Sequence, residues 1–138
     1  MGNERAVQLT WLGAGMQFTG AGTAPVTAPV VIDGDGAVGP SPMLALLLAA
    51  GGCTGADVVS ILAGMRVKLQ RCDVAVSGTR RDEHPRRYVA IRLRFTLAGD
   101  GLDRPKAERA VALSLTKYCS VLHSLASDIA VEHEIVLA

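Results

Sequence analysis

Two cysteines are the residues best suited to do chemistry: Cys53 in Gly51-Gly52-Cys53-Thr54 and Cys119 in Lys117-Tyr118-Cys119-Ser120. Each lies within or beside a segment that reads as a helix. Two thiols can pass reversibly between a dithiol, a sulfenic acid and a disulfide, so the pair points to redox chemistry. The third cysteine, Cys72, is in register with Val74 and Val76 and reads as a small core residue.

Two other chemistries are open to these side chains. Zinc could use Cys53 and Cys119 with His84, His123 or His133, but the chain has no Cys-x-x-Cys or other local Cys/His pair of the kind structural zinc sites use, and no metal is expected. A protease-like Cys–His pair needs an orienting partner and an oxyanion site, and the sequence names neither. His133 falls on the inward phase of the last strand and reads as a core histidine. His123, four residues after Cys119, could approach that thiol, although a packing or surface role is the simpler reading.

These residues need elements to position them. Ala6 to Trp11, Met16 to Thr19 and Val26 to Ile32 read as short strands, with Gly13, Gly15, Gly20 and Gly22 as turn positions. Asp33-Gly34-Asp35-Gly36 stops before the later ligands of a calcium loop and reads as turn chemistry. Ser41 caps and Pro42 opens a helix to about Met65 with almost no polar face, so burial on nearly all sides is expected and a second subunit could complete it. Gly51 and Gly52 interrupt it, either for close packing or for access to Cys53.

Two strands follow, joined by the charged hairpin Arg80 to Arg87. In the first, Cys72, Val74 and Val76 share a face; in the second, Val89, Ile91, Leu93, Phe95 and Leu97 point inward, with Tyr88, Arg92, Arg94 and Thr96 outward. Asp103 caps a helix to about Thr116, a short helix runs from Cys119 or Ser120 to about Ser127, and Asp128 to Leu137 forms the last strand. Strands clustered in pairs predict an α+β fold with a largely antiparallel sheet.

The 138 residues predict a single domain over 1–138, with half the side chains hydrophobic and few of them aromatic. A net charge of +1 gives no reason to expect nucleic acid as a partner. The longest apolar run, Met43 to Ala50, is too short to span a bilayer, and Met1 to Arg5 carries no basic lead into an apolar segment; no membrane association and a cytoplasmic location are expected.

Taken together, Ser41-Pro42-Met43, the apolar helix to Gly51-Gly52-Cys53-Thr54, Asp57-Val58-Val59-Ser60-Ile61-Leu62, Glu83-His84-Pro85 and Lys117-Tyr118-Cys119-Ser120-Val121 resemble the OsmC/Ohr family, and more closely its uncharacterised OsmC-like subgroup. The resemblance spans nearly the whole chain. It implies an OsmC-like fold in which two chains intertwine as a homodimer, with sites at the subunit interface. It implies reduction of organic hydroperoxides by Cys53 as the peroxidatic thiol and Cys119 as the resolving one, with no bound cofactor and an external dithiol as reductant. In the family's peroxidases an arginine, held by a glutamate near the start of the long helix, stabilises the thiolate. Here Leu44 occupies that position and no arginine clearly corresponds. The alternative is therefore a non-catalytic or weakly active relative that binds a hydrophobic small molecule or senses oxidants.

Overall fold

The computed structural model describes residues 2–138; Met1, part of the amino-terminal segment searched for targeting signals, lies outside them. The chain divides between Leu46 and Leu47 into two compact units.

The first unit holds an antiparallel sheet in the order β1 (Ala6–Trp11), β2 (Gln17–Ala24), β3 (Val30–Asp33). Gly20 and Gly22, expected at turns, lie within β2. The third strand starts later than expected, because Pro25 to Ala28 form a turn in which the Thr27 hydroxyl accepts from the Gly22 amide at 2.8 Å. The Asp33 loop is a turn, as expected: its buried carboxylate accepts from the amides of Asp35, Ala37 and Val38. Those amides hold the Asp33 carboxyl below its ordinary range.

Helix α1 (Pro42–Gly64) begins at Ser41, whose hydroxyl accepts from the Leu44 amide at 3.2 Å. It ends with Arg66 in the left-handed region (φ 64°) while the Val67 amide reaches back to the Leu62 carbonyl. At 23 residues the helix is long and apolar enough, by length and composition, to cross a membrane. The sequence expectation had measured only the uninterrupted aliphatic stretch.

In the second unit one face of α1 is buried: Leu47, Ala50, Thr54, Gly55, Val58 and Leu62 form a stripe at helical spacing. Burial on nearly all sides is not reached within one chain, however, since Leu48 and Val59 remain exposed.

The second sheet runs β4 (Lys68–Arg80), β5 (Tyr88–Asp100), β6 (Ala130–Leu137), with β5 central. β4 and β5 pair antiparallel through the charged hairpin, whereas β5 and β6 are parallel. A parallel pair requires a crossover, and α2 (Arg104–Leu113) provides it. Three of the four strand pairings are thus antiparallel, giving the α+β architecture that the paired strands predicted.

Ile91, Leu93, Phe95 and Leu97 of β5 are buried, as the alternation required; each such side chain contributes about 1.5–3 kcal/mol. Tyr88 was expected to face outward and is instead buried. A register shift at Thr79/Arg80 pairs Arg80 with Tyr88 and leaves Val89 unopposed, which reverses the alternation and lays the Tyr88 ring over Gly78. His133 is exposed rather than in the core: β6 is the edge strand of its sheet, and of its inward-phase residues only Ile135 is even half-buried.

Candidate functional site

The site is assembled from α1 and from the segment that follows α2. Gly51 makes this placement possible. A Cβ there would lie 2.9 Å from Val76 Cγ2, and one at Gly55 would lie 3.3 Å from Val74 Cγ2, so two glycines one turn apart let α1 press onto β4. Gly52, by contrast, faces open space beside Cys53. Close packing, one of the two explanations offered for the interrupted helix, thus holds at Gly51 and not at Gly52.

Cys53 and Asp57, four residues apart, share one face of α1. Both are half-buried. Thr54 points the other way and is satisfied within the helix, its hydroxyl donating to the Ala50 carbonyl at 2.9 Å.

Asp103 caps α2 by accepting from the Lys106 amide at 2.9 Å, and Ala107, Ala110 and Val111 bury one face of the helix. The helix then widens into a single π-helical turn, Ser114–Tyr118, closed by the Cys119 amide donating to the Ser114 carbonyl at 2.8 Å. Such turns add a residue to the helix and often mark functional sites. Cys119 follows as the cap of the short helix α3 (Ser120–His123), its sulfur accepting from the Leu122 amide at 3.4 Å. This helix stops at His123, four residues before the expected end.

The result is a compact group. Cys53 Sγ, Cys119 Sγ and an Asp57 carboxylate oxygen all lie within 4.8 Å of one another. None of the three cysteines is joined in a disulfide. Burial pushes the Cys119 thiol up to about 11; the Leu122 amide pulls it back only in part, and the neighbouring Cys53 thiol adds to the rise. No cation contributes. The Ser114 hydroxyl, fully buried, donates to Asp57 Oδ2 at 2.9 Å and holds the carboxylate toward the sulfurs.

The two predicted site residues are thus brought together, although 66 positions separate them in the sequence. The other candidates are not. Cys72 sits on β4 facing the core, where burial and then Asp73 raise its thiol. The ring Nδ1 of His123 lies 2.8 Å from the Cys119 carbonyl oxygen, so it meets the backbone and not the thiol. His84 is exposed on the hairpin, and Glu83 pairs with Arg81. Sequence reasoning gave no role to Asp57 or Ser114. A signal for the first was present, since Asp57 is the one charged residue in the 23 of α1. Among the described residues, Cys53, Asp57 and Cys119 form the donor group compact enough to hold a metal ion, and no histidine joins it.

Comparison with known proteins places this geometry. The sequence model of the OsmC family, described as OsmC-like protein, matches residues 33–134. Protein YhfA of Escherichia coli K12 is 42% identical over 112 residues, covering 79% of this chain and 84% of the relative. Among solved structures, a hypothetical protein from Aquifex aeolicus is 27% identical with a TM-score of 0.82, covering 99% of this chain and 98% of that one. The organic hydroperoxide resistance protein OhrB of Bacillus subtilis is 15% identical with a TM-score of 0.58, and the match covers both chains fully. The fold is that of an OsmC-like protein. The chain belongs to the OsmC family.

Proposed function

We propose that the protein reduces organic hydroperoxides through Cys53 and Cys119. One observation carries this reading: two unpaired cysteine sulfurs from distant parts of the chain lie within 4.8 Å, close enough to form a disulfide after a small movement. The likeness to proteins named for organic hydroperoxide resistance supports it.

Cys53 is half-buried beside the open flank at Gly52, whereas Cys119 is fully buried and strongly favours its thiol form. That asymmetry suits Cys53 to meet the peroxide. Its thiolate attacks the O–O bond and becomes a sulfenic acid, and the other oxygen leaves as the alcohol. Cys119 then condenses with the sulfenic acid, forming the disulfide and releasing water. An external dithiol reduces the disulfide and is itself oxidised. The apolar surroundings of α1 favour an alkyl or lipid hydroperoxide, whose hydrocarbon can be buried there.

The exposed Leu44, Leu48 and Val59 support pairing of two chains along α1, and the reading includes a homodimer in the cytoplasm. A second reading, an oxidant sensor or a binder of an apolar ligand with slow thiol chemistry, is favoured by the carboxylate of Asp57 beside the sulfurs, which disfavours a thiolate there.

The test is peroxide loss after mixing the reduced protein with cumene hydroperoxide and a dithiol. Consumption well above that of a Cys53→Ser control supports the enzyme. Consumption equal to the control leaves the second reading.

A further inference from the structure

The cluster is also a set of three donors whose combined chemistry peroxide reduction does not use. Cys53, Asp57 and Cys119 are all anionic when deprotonated, and all three converge on one point. The arginine ion pairs among the described residues engage Asp73, Glu83, Asp128, Glu134 and Glu108, none of them in this group. Deprotonated, these three groups present two sulfurs and a carboxylate oxygen to a single cation.

We propose that Cys53, Asp57 and Cys119 form a three-ligand site for a soft divalent cation of the zinc class. The donor chemistry selects the ion: two thiolates favour zinc and its soft relatives over magnesium or calcium, which take oxygen ligands. Three protein ligands with a fourth position open is the pattern of zinc sites that exchange a water or a substrate. Zinc–sulfur bonds of about 2.3 Å in a tetrahedron place two sulfurs about 3.8 Å apart. Donors already within 4.8 Å need only a slight contraction to reach that.

The surroundings fit the same purpose. The buried Ser114 hydroxyl donates to Asp57 Oδ2 at 2.9 Å, the kind of outer contact that orients a ligating carboxylate. The same residue's carbonyl holds the Cys119 amide at 2.8 Å, so Ser114 fixes two of the three ligands. The absence of local Cys/His pairs argued against a metal from the sequence, and the fold removes that objection by bringing the donors together across 66 positions.

This inference uses the sulfurs of the proposed peroxide chemistry but goes beyond it. The bound ion supplies the positive charge that the missing arginine does not, and it ties both sulfurs as thiolates. Oxidation of the two thiolates by an organic hydroperoxide, which takes up two protons and the two electrons to become an alcohol and water, forms the disulfide, removes two ligands and releases the cation.

The test uses the full-length protein, reduced and stripped with chelator, titrated with Zn²⁺ against a chromophoric chelator and separately with Co²⁺. One ion per chain is expected, with thiolate-to-cobalt charge transfer and the intense visible bands of a tetrahedral site. Asp57→Asn and Ser114→Ala should each weaken binding about 10-fold or more. Cys72→Ser, outside the cluster, should bind normally, and wild-type protein oxidised to the disulfide should not bind. Lack of stoichiometric binding would overturn the proposal. So would wild-type affinity in Ser114→Ala and Asp57→Asn, which would reduce the site to chelation by two thiols. If Asp57→Asn does not fold, Ser114→Ala and the oxidised protein decide the matter. Peroxide consumption by the metal-free protein is measured separately: metal binding without consumption sinks only the peroxidase reading, and consumption without metal binding sinks only this one.

Discussion

Ser114 donates its hydroxyl to the carboxylate of Asp57 at 2.9 Å, joining the end of α2 to the middle of α1 across 57 positions of sequence. The hydroxyl is fully buried, so removing it cannot be made good by water on the Ser114 side. We expect Ser114→Ala to cost about 1–3 kcal/mol, read from the midpoint of urea unfolding at constant slope. An unchanged midpoint would show that the bond does not brace the two helices.

The two adjacent glycines of α1 should respond in opposite directions. Gly51→Ala drives a methyl group to 2.9 Å from Val76 Cγ2, a stiff β-branched neighbour, and overpacking of this kind costs about 1–3 kcal/mol. Gly52→Ala enters open space and gains the helix propensity of alanine, about 0.8–1 kcal/mol. Thermal unfolding of the two variants checks the order. Destabilisation by Gly52→Ala would place another surface, such as a second copy of the chain, against that flank.

Alkaline stability should depend on Cys119. Its folded thiol titrates at about 11 against an ordinary 9.0, so between those values the folded state keeps a proton that the unfolded state has lost. Stability therefore falls as pH rises from about 9 to about 11. Cys119→Ala should flatten that part of the unfolding profile, even as the lost side chain lowers stability overall. An equally steep fall in the variant would assign the alkaline loss to other groups.

Acid behaviour runs the other way at Asp33. Amide donors lower its carboxyl below the ordinary 3.8, so its contribution is present above that value and is lost as pH falls through the depressed folded value. Asp33→Asn should reduce the acid sensitivity of unfolding below about pH 4. A variant with the full wild-type acid slope would contradict this.

The two sulfurs should also differ in what they leave behind. If Cys53 meets the peroxide, Cys119→Ser exposed to one equivalent of cumene hydroperoxide should accumulate a sulfenic acid on Cys53, trapped by dimedone and located by mass spectrometry. The wild type should show the Cys53–Cys119 disulfide instead. Adducts on Cys72, or on Cys119 in Cys53→Ser, would reverse or abolish the assignment.

Much of this protein could be read from local patterns. The Ser41 and Asp103 caps, the apolar periodicity of β5, the alternation of Cys72, Val74 and Val76, and the turn at Asp33 each depend on residues a few positions apart, and their physics acts at that range. The cysteine motifs and their resemblance to a known family belong with them. The errors fell where a distant or extra residue intervened. Val89, left without a cross-strand partner, turned Tyr88 inward, and a parallel edge position left His133 uncovered.

The sequence by itself determined most of the elements, the pair of cysteines and the family, because residue type, helical and strand periodicity, and capping are written within single segments. Only the tertiary structure decided that Gly51 packs while Gly52 leaves a flank open, and that Asp57 and Ser114 belong beside the two sulfurs. The reason is physical: the convergence of α1 with the π turn after α2 is set by how closely the helix can press on β4 and by the widened helical turn that aims Cys119. Neither distance is encoded in the spacing between the residues that meet.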